Sequence, residues 1–180
     1  MNGLLIPILA LALCAPPGPN LPAAVSEQGS LDRVPSPDGQ RVAFVLFERG
    51  DHTYVGVASN DGAIRWRKDA GIRPLVETHW SADGRQVMVV TDCVQPAAEL
   101  KVGKPGTASW LLVLDAGDGH TVAQGDLDTD VLALQAKLPD AVGASHVITA
   151  LTLEAGMIFA TIKHRGQAVS GTCALERLKK

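Results

Sequence analysis

The sequence predicts an all-β protein built from repeated antiparallel meanders, and two observations carry that prediction. One turn occurs twice in the same context. Ser36-Pro37-Asp38-Gly39 runs into Gln40-Arg41-Val42-Ala43-Phe44-Val45, and Ser81-Ala82-Asp83-Gly84 runs into Arg85-Gln86-Val87-Met88-Val89-Val90. Each copy is followed by a second Asp-Gly turn, Asp61-Gly62 and Asp118-Gly119. A duplicated unit of this length marks a β-repeat architecture. Composition agrees: 46% of residues are apolar, 19% charged and only 4% aromatic, so the core is built mainly from Val, Leu, Ile and Ala.

In the first unit, strands are predicted over Gln40 to Phe47, Thr53 to Ala58 and Ala63 to Lys68, with Glu27 to Val34 as a lead-in. Val42, Phe44 and Leu46 alternate with Arg41, Ala43 and Val45. Both faces are mostly apolar, as in a strand covered on both sides. Pro37 presets φ for the first central position of a type I turn, and Gly39 can follow with φ above zero. Asn60-Asp61-Gly62 is a strong hairpin signal.

In the second unit, His79-Trp80 leads into the turn, and strands are predicted over Gln86 to Thr91, Trp110 to Leu114 and Thr121 to Gln124. The stretch Cys93 to Ser109 is an insertion relative to the first unit. It holds Pro96, Gly103, Pro105 and Gly106 beside Leu100, Lys101 and Lys104, and reads as an exposed loop projected by the scaffold. It is the candidate partner contact.

The last third lacks Asp-Gly turns. Val131 to Lys137 reads as a strand or a short helix. His146 to Leu153 and Met157 to Lys163 form a hairpin across Glu154-Ala155-Gly156, and Gln167 to Leu175 is a further strand. The units fall at about 34–70, 79–126 and 131–178 within one domain, 25–180.

Residues 1–24 read as an export signal. Leu4 to Ala15 is apolar, too short to span a bilayer, and is followed by Pro16, Pro17, Gly18, Pro19 and Pro22. The competing reading is a buried hydrophobic arm. Leu11-Ala12-Leu13-Cys14 is similar to a bacterial lipobox, which makes Cys14 a candidate lipidation site. Plain cleavage is the alternative. Both routes place the mature protein in the periplasm or cell envelope, with a lipid anchor as its only expected tie to the membrane.

Of the three cysteines, Cys93 and Cys173 remain in the mature domain. An even count in an oxidising compartment predicts that they pair, the alternative being two buried free thiols.

The two Asp-Gly units resemble the β-propeller repeats of the TolB type, a WD-like architecture. Their signature is a Ser-Pro-Asp-Gly turn feeding a strand that reads Lys/Arg-x-Ala-Phe. Ser36-Pro37-Asp38-Gly39 with Arg41-Val42-Ala43-Phe44 matches, and Trp80-Ser81-Ala82-Asp83-Gly84 matches with Ala for Pro. The resemblance covers about Val34 to Asp126 and implies a propeller-like fold. A complete ring uses 4 to 8 blades. This chain holds about three units, so an open stack is expected.

No catalytic motif appears. The sequence has no G-x-S-x-G elbow, no phosphate-binding Gly-rich loop and no zinc spacing among its five histidines. Asp126-Leu127-Asp128-Thr129-Asp130 lacks the Gly and Glu of a calcium loop and reads as an acidic turn. Trp80 and Trp110 read as packing residues. Net charge is −3 with no basic stripe, which argues against nucleic acid. The expectation is a non-enzymatic, cofactor-free interaction module that meets a protein partner or a second copy through an open strand edge. The alternative is an accessory ligand- or peptide-binding propeller serving a separate enzyme.

Overall fold

The computed structural model describes residues 30–47, 52–72, 76–93, 107–132, 147–164 and 167–179. They form three antiparallel sheets in chain order. The first holds β1 (Ser30–Pro35), β2 (Arg41–Phe47), β3 (His52–Ser59) and β4 (Ile64–Ile72). The second holds β5 (Val76–Trp80), β6 (Gln86–Cys93), β7 (Thr107–Asp115) and β8 (Thr121–Asp126). The third has only three strands, β9 (Val147–Glu154), β10 (Met157–His164) and β11 (Gln167–Ala174), with β10 in the middle. Each sheet is a meander in which consecutive strands are neighbours. The predicted class, an all-β stack of propeller-like units without a closed ring, is what forms.

Period-two alternation builds the stack. Ala43, Val45, Val55 and Val57 of the first sheet meet Val87, Val89, Leu112 and Leu114 of the second, with Trp66, Trp80 and Trp110 closing that layer. The opposite sides of β6 and β7 turn Met88, Val90, Leu111 and Val113 into a second layer, against Leu151, Leu153, Ile158, Ala160 and Ile162 of the third sheet. The second sheet is therefore covered on both faces. Trp80 and Trp110 pack between sheets, as their sequence context predicts.

The two ends of the stack differ. The outer side of the third sheet exposes Thr149, Thr152, Ser170 and Thr172 around Phe159. That is the polar outer face a terminal repeat needs. The outer side of the first sheet is apolar: Phe44, Leu46 and Ala58 form a third buried cluster with Tyr54 packed on it. Among the described residues, no element lies across them.

Two strands exceed the sequence expectation. The lead-in before Ser36 is β1, and the stretch before Ser81 is β5. Both are first strands of their sheets and touch each other across the stack. The Thr78 hydroxyl donates to Asp32 Oδ2 at 3.1 Å, and the Trp80 indole N–H donates to the Val34 carbonyl at 2.8 Å.

Leu127–Val131 is one π-helical turn, Leu132 follows it, and 133–146 lie outside the described residues. Leu127, Val131 and Leu132 belong to the second core layer. Apolar residues spaced as Leu127, Val131 and Leu132 suit one face of a helical turn rather than a strand.

Cys173 does not appear as half of a bridge. It is a free, buried thiol in the second core layer. Its S–H donates to the Ala174 carbonyl at 3.4 Å, and burial pushes its pKa up. The side chain of Cys93, its expected partner, lies outside the described residues. A buried thiol packs as a small hydrophobe and needs no partner there.

Candidate functional site

The meander topology sorts the connections by end. The turns joining β1–β2, β3–β4, β5–β6, β7–β8 and β9–β10 all lie at one end of the stack. The connections 48–51, 73–75, 94–106 and 165–166 leave from the other, and these lie outside the described residues. The candidate partner loop with Leu100, Lys101 and Lys104 lies outside the described residues. So do the export leader and Cys14.

At the turn end, one device is used three times. Ser36 Oγ donates to Asp38 Oδ1 at 2.5 Å and accepts the Arg41 N–H at 3.0 Å, while Asp38 Oδ1 accepts the Gln40 N–H at 3.0 Å. Ser81 and Asp83 repeat this at 2.7, 2.9 and 3.0 Å. Ser59 and Asp61 follow suit: the hydroxyl donates at 2.7 Å and the carboxylate accepts the Ala63 N–H at 3.0 Å. In each the glycine has positive φ, 67° at Gly39, 68° at Gly84 and 86° at Gly62, where a side chain would be strained. The Ser-x-Asp-Gly spacing of Ser59 to Gly62 is a third copy of the motif, missed when only Asn60-Asp61-Gly62 is read as a hairpin signal.

The turns also tie the sheets together. The Arg41 guanidinium donates to the Gly84 carbonyl at 2.7 Å and sits 5.1 Å from the centre of the Trp80 ring. The Trp66 indole donates to the Ala116 carbonyl at 3.1 Å, and the Ala82 N–H donates to the Leu153 carbonyl at 2.9 Å.

These bonds set the carboxylate chemistry. Asp38 is held below the ordinary carboxylate range chiefly by the Ser36 hydroxyl, and Asp61 and Asp83 chiefly by the N–H groups of Ala63 and Arg85. Asp118 is lowered first by the His120 backbone N–H and then by its ring. A carboxylate whose folded pKa lies below its unfolded value of about 3.9 adds stability above that pH, and the gain is lost as pH falls through the folded value. The melting temperature is therefore expected to hold from neutral pH to about 4 and to drop below it. Asp83→Asn should flatten the drop. A wild-type melting temperature that does not change between pH 5 and pH 3 would show that the turns contribute nothing by this route.

One grouping was not legible beforehand. In the β7–β8 turn, Asp115, Asp118 and His120 bring their ligand atoms within 4.8 Å of one another. Asp115 Oδ1 already accepts the Gly117 N–H at 2.7 Å. Asp118 Oδ1 accepts the His120 N–H at 2.8 Å and lies 2.7 Å from His120 Nδ1. The Asp-x-x-Asp-x-His spacing is visible in the sequence, but it fits none of the metal motifs sought there. Asp130 is likewise committed, accepting the Asp126 N–H at 2.8 Å.

The strand edges tell a different story. β4, outermost in the first sheet, carries Arg65, Arg67, Lys68 and Asp69 and has irregular register with β3, two standard guards against stray pairing. β8, outermost in the second, is bridged by the segment after β11: Gln124 and Lys179 exchange backbone hydrogen bonds at 2.7 and 3.0 Å. β11 occupies the outer position of a sheet that has three strands among the described residues. Its sequence, Gln167-Ala-Val-Ser-Gly-Thr-Cys-Ala174, holds no charge and no proline, and its register with β10 has no bulge. The fold is an open, propeller-like β-repeat stack in which, among the described residues, no strand pairs with the outer edge of β11.

No family model matches the chain, and no curated protein matches it. Solved structures do. The chain aligns with an acylaminoacyl peptidase in complex with Z-Gly-Gly-Phe-chloromethyl ketone at 13% identity and TM-score 0.43, over 78% of this chain and 24% of that one. It aligns with an uncharacterized protein from Listeria monocytogenes EGD-e at 13% identity and TM-score 0.34, over 82% and 53%. A third match is a puromycin hydrolase mutant complexed with PGG, at 16% identity and TM-score 0.29, over 82% and 27%. The chain thus spans between about a quarter and a half of the chains it matches.

Proposed function

We propose that this chain is an exported β-repeat interaction module of the TolB type that works at the cell envelope through protein contact rather than through catalysis. The observation that carries the reading is the outer edge of β11. Strands add to such edges through main-chain hydrogen bonds, and side-chain pockets supply selectivity. The Asp-Gly turns support it from the other side, because the carboxylates of Asp38, Asp61, Asp83 and Asp118 are engaged in bonds within their own turns. Export rests on the leader before Val25.

The test is capture from an envelope extract by the tagged mature chain. A retained polypeptide is expected, whether a different protein or an untagged copy, and it should be lost when Ser170→Pro spoils the edge of β11. Equal capture by the variant, or a chain that fractionates with the cytoplasm, would sink the reading.

A further inference from the structure

Resting on the reading above, we propose that the occupant of the β11 edge is a second copy of this chain, paired antiparallel about a two-fold axis at Ser170, so that two three-stranded sheets fuse into one.

The geometry begins with which backbone groups are free. In an antiparallel pair, alternate residues of a strand turn both N–H and C=O toward the neighbour. His164 faces Gln167 across the hairpin, and the Leu175 N–H donates to the Gly156 carbonyl at 2.9 Å. Position 175 thus points to β10, and so by alternation do Gln167, Val169, Gly171 and Cys173. Ala168, Ser170 and Thr172 direct their backbone groups away from β10, toward the outer position, where no strand pairs with β11 among the described residues.

Side-chain direction narrows the register. Cys173 is buried toward the second sheet, with Val169 packed on the same layer, whereas Ala168, Ser170 and Thr172 are exposed on the outer face. Residues directly opposite in a sheet share a face. Only registers that set exposed residues against exposed residues keep both faces intact. Pairing Ser170 with Ser170 of the second copy does this, and sets Ala168 against Thr172 of the second copy. It joins the free N–H and C=O groups of all three positions.

The strand is complementary to itself. No charge meets a like charge across the pair. Thr161 Oγ1 and Ser170 Oγ lie 2.8 Å apart on the outer face. The two-fold axis extends that pair into a hydroxyl row running Thr161, Ser170, Ser170, Thr161 across the seam. Such a contact is isologous and closes at two copies, which removes the open edge instead of propagating it.

The experiment is sedimentation of the purified mature chain alone. Wild type should sediment as a dimer. Ser170→Pro removes an outward N–H without touching the β10 ladder, so it should keep its circular dichroism and weaken the dimer by about tenfold or more, two hydrogen bonds being lost about the axis. If that variant misfolds, Ser170→Lys replaces it. It sets like charges opposite each other, and its dimer should weaken at low salt and recover at high salt. A monomeric wild type, or a dimer indifferent to both substitutions, overturns the proposal. A monomeric wild type that still captures a foreign polypeptide leaves the broader reading standing, and capture of nothing removes both.

Discussion

Gly56→Ala is expected to be among the most damaging single-methyl changes in this protein. A Cβ on Gly56 would lie 2.5 Å from the Phe44 ring and 2.6 Å from the Trp66 carbonyl oxygen. The ring could swing, but the carbonyl belongs to the adjoining strand β4 and cannot retreat without breaking the ladder. Overpacking a tight core costs typically 1–3 kcal/mol, and two contacts this short place the change at about 3 kcal/mol. For a domain of this size that lowers the melting temperature by roughly 6–12 °C. Phe44→Leu in the Gly56→Ala background should recover only part of the loss, because the backbone contact remains. A variant that melts within a degree or two of wild type would mean that β3 and β4 are not packed this closely.

The second large effect distinguishes the middle of the stack from its end. Leu111 and Leu112 are adjacent on β7, and both are fully buried, Leu111 in the second core layer and Leu112 in the first. Alanine at either position should cost about 2–5 kcal/mol. The corresponding neighbours on β10 should not behave alike. Ile158 is 0% exposed and Phe159 is 43% exposed. Ile158→Ala should again cost about 2–5 kcal/mol, but Phe159→Ala, though it removes more atoms, should cost under about 1 kcal/mol. Thermal melts of the four variants at one protein concentration decide the matter. A Phe159→Ala cost equal to that of Ile158→Ala would place another layer over the third sheet.

Much of this was legible because turn chemistry and alternation are local. Ser36-Pro37-Asp38-Gly39 and Ser81-Ala82-Asp83-Gly84 state their geometry in four residues, and Val-rich stretches with both faces apolar become the inner strands β2, β6 and β7. The strands β1 and β5 were not read as such, since an innermost strand bonded on one side has no need of an apolar run. Ser30–Pro35 is mostly polar and ends in proline, and Val76–Trp80 is five residues long. In the second of these, the alternation of Val76, Thr78 and Trp80 was the available signal. The third sheet kept its strands without the repeat's turns: Ala155 and Gly156, at φ 49° and 76°, make a tight two-residue connection of another kind. The Asp115, Asp118 and His120 grouping and the outer edge of β11 depend on strand order and turn conformation, which no short window of sequence contains. Parity of cysteines is a compositional argument, and it says nothing about whether a sulfur is enclosed by Leu and Ile, as Cys173 is.

The clasp between Gln124 and Lys179 has a bearing on the order in which the molecule is assembled. The first two sheets are made of strands adjacent in the chain, so each can form as soon as its own residues are free, from short-range contacts that are reached quickly. The bond between Lys179 and β8 reaches back over the whole third sheet. A chain that emerges from the ribosome amino end first therefore holds two formed sheets with an unlatched margin on β8 until the segment after β11 arrives. The segment after β11 acts as a timing element: its arrival, rather than that of the third sheet, latches the second sheet.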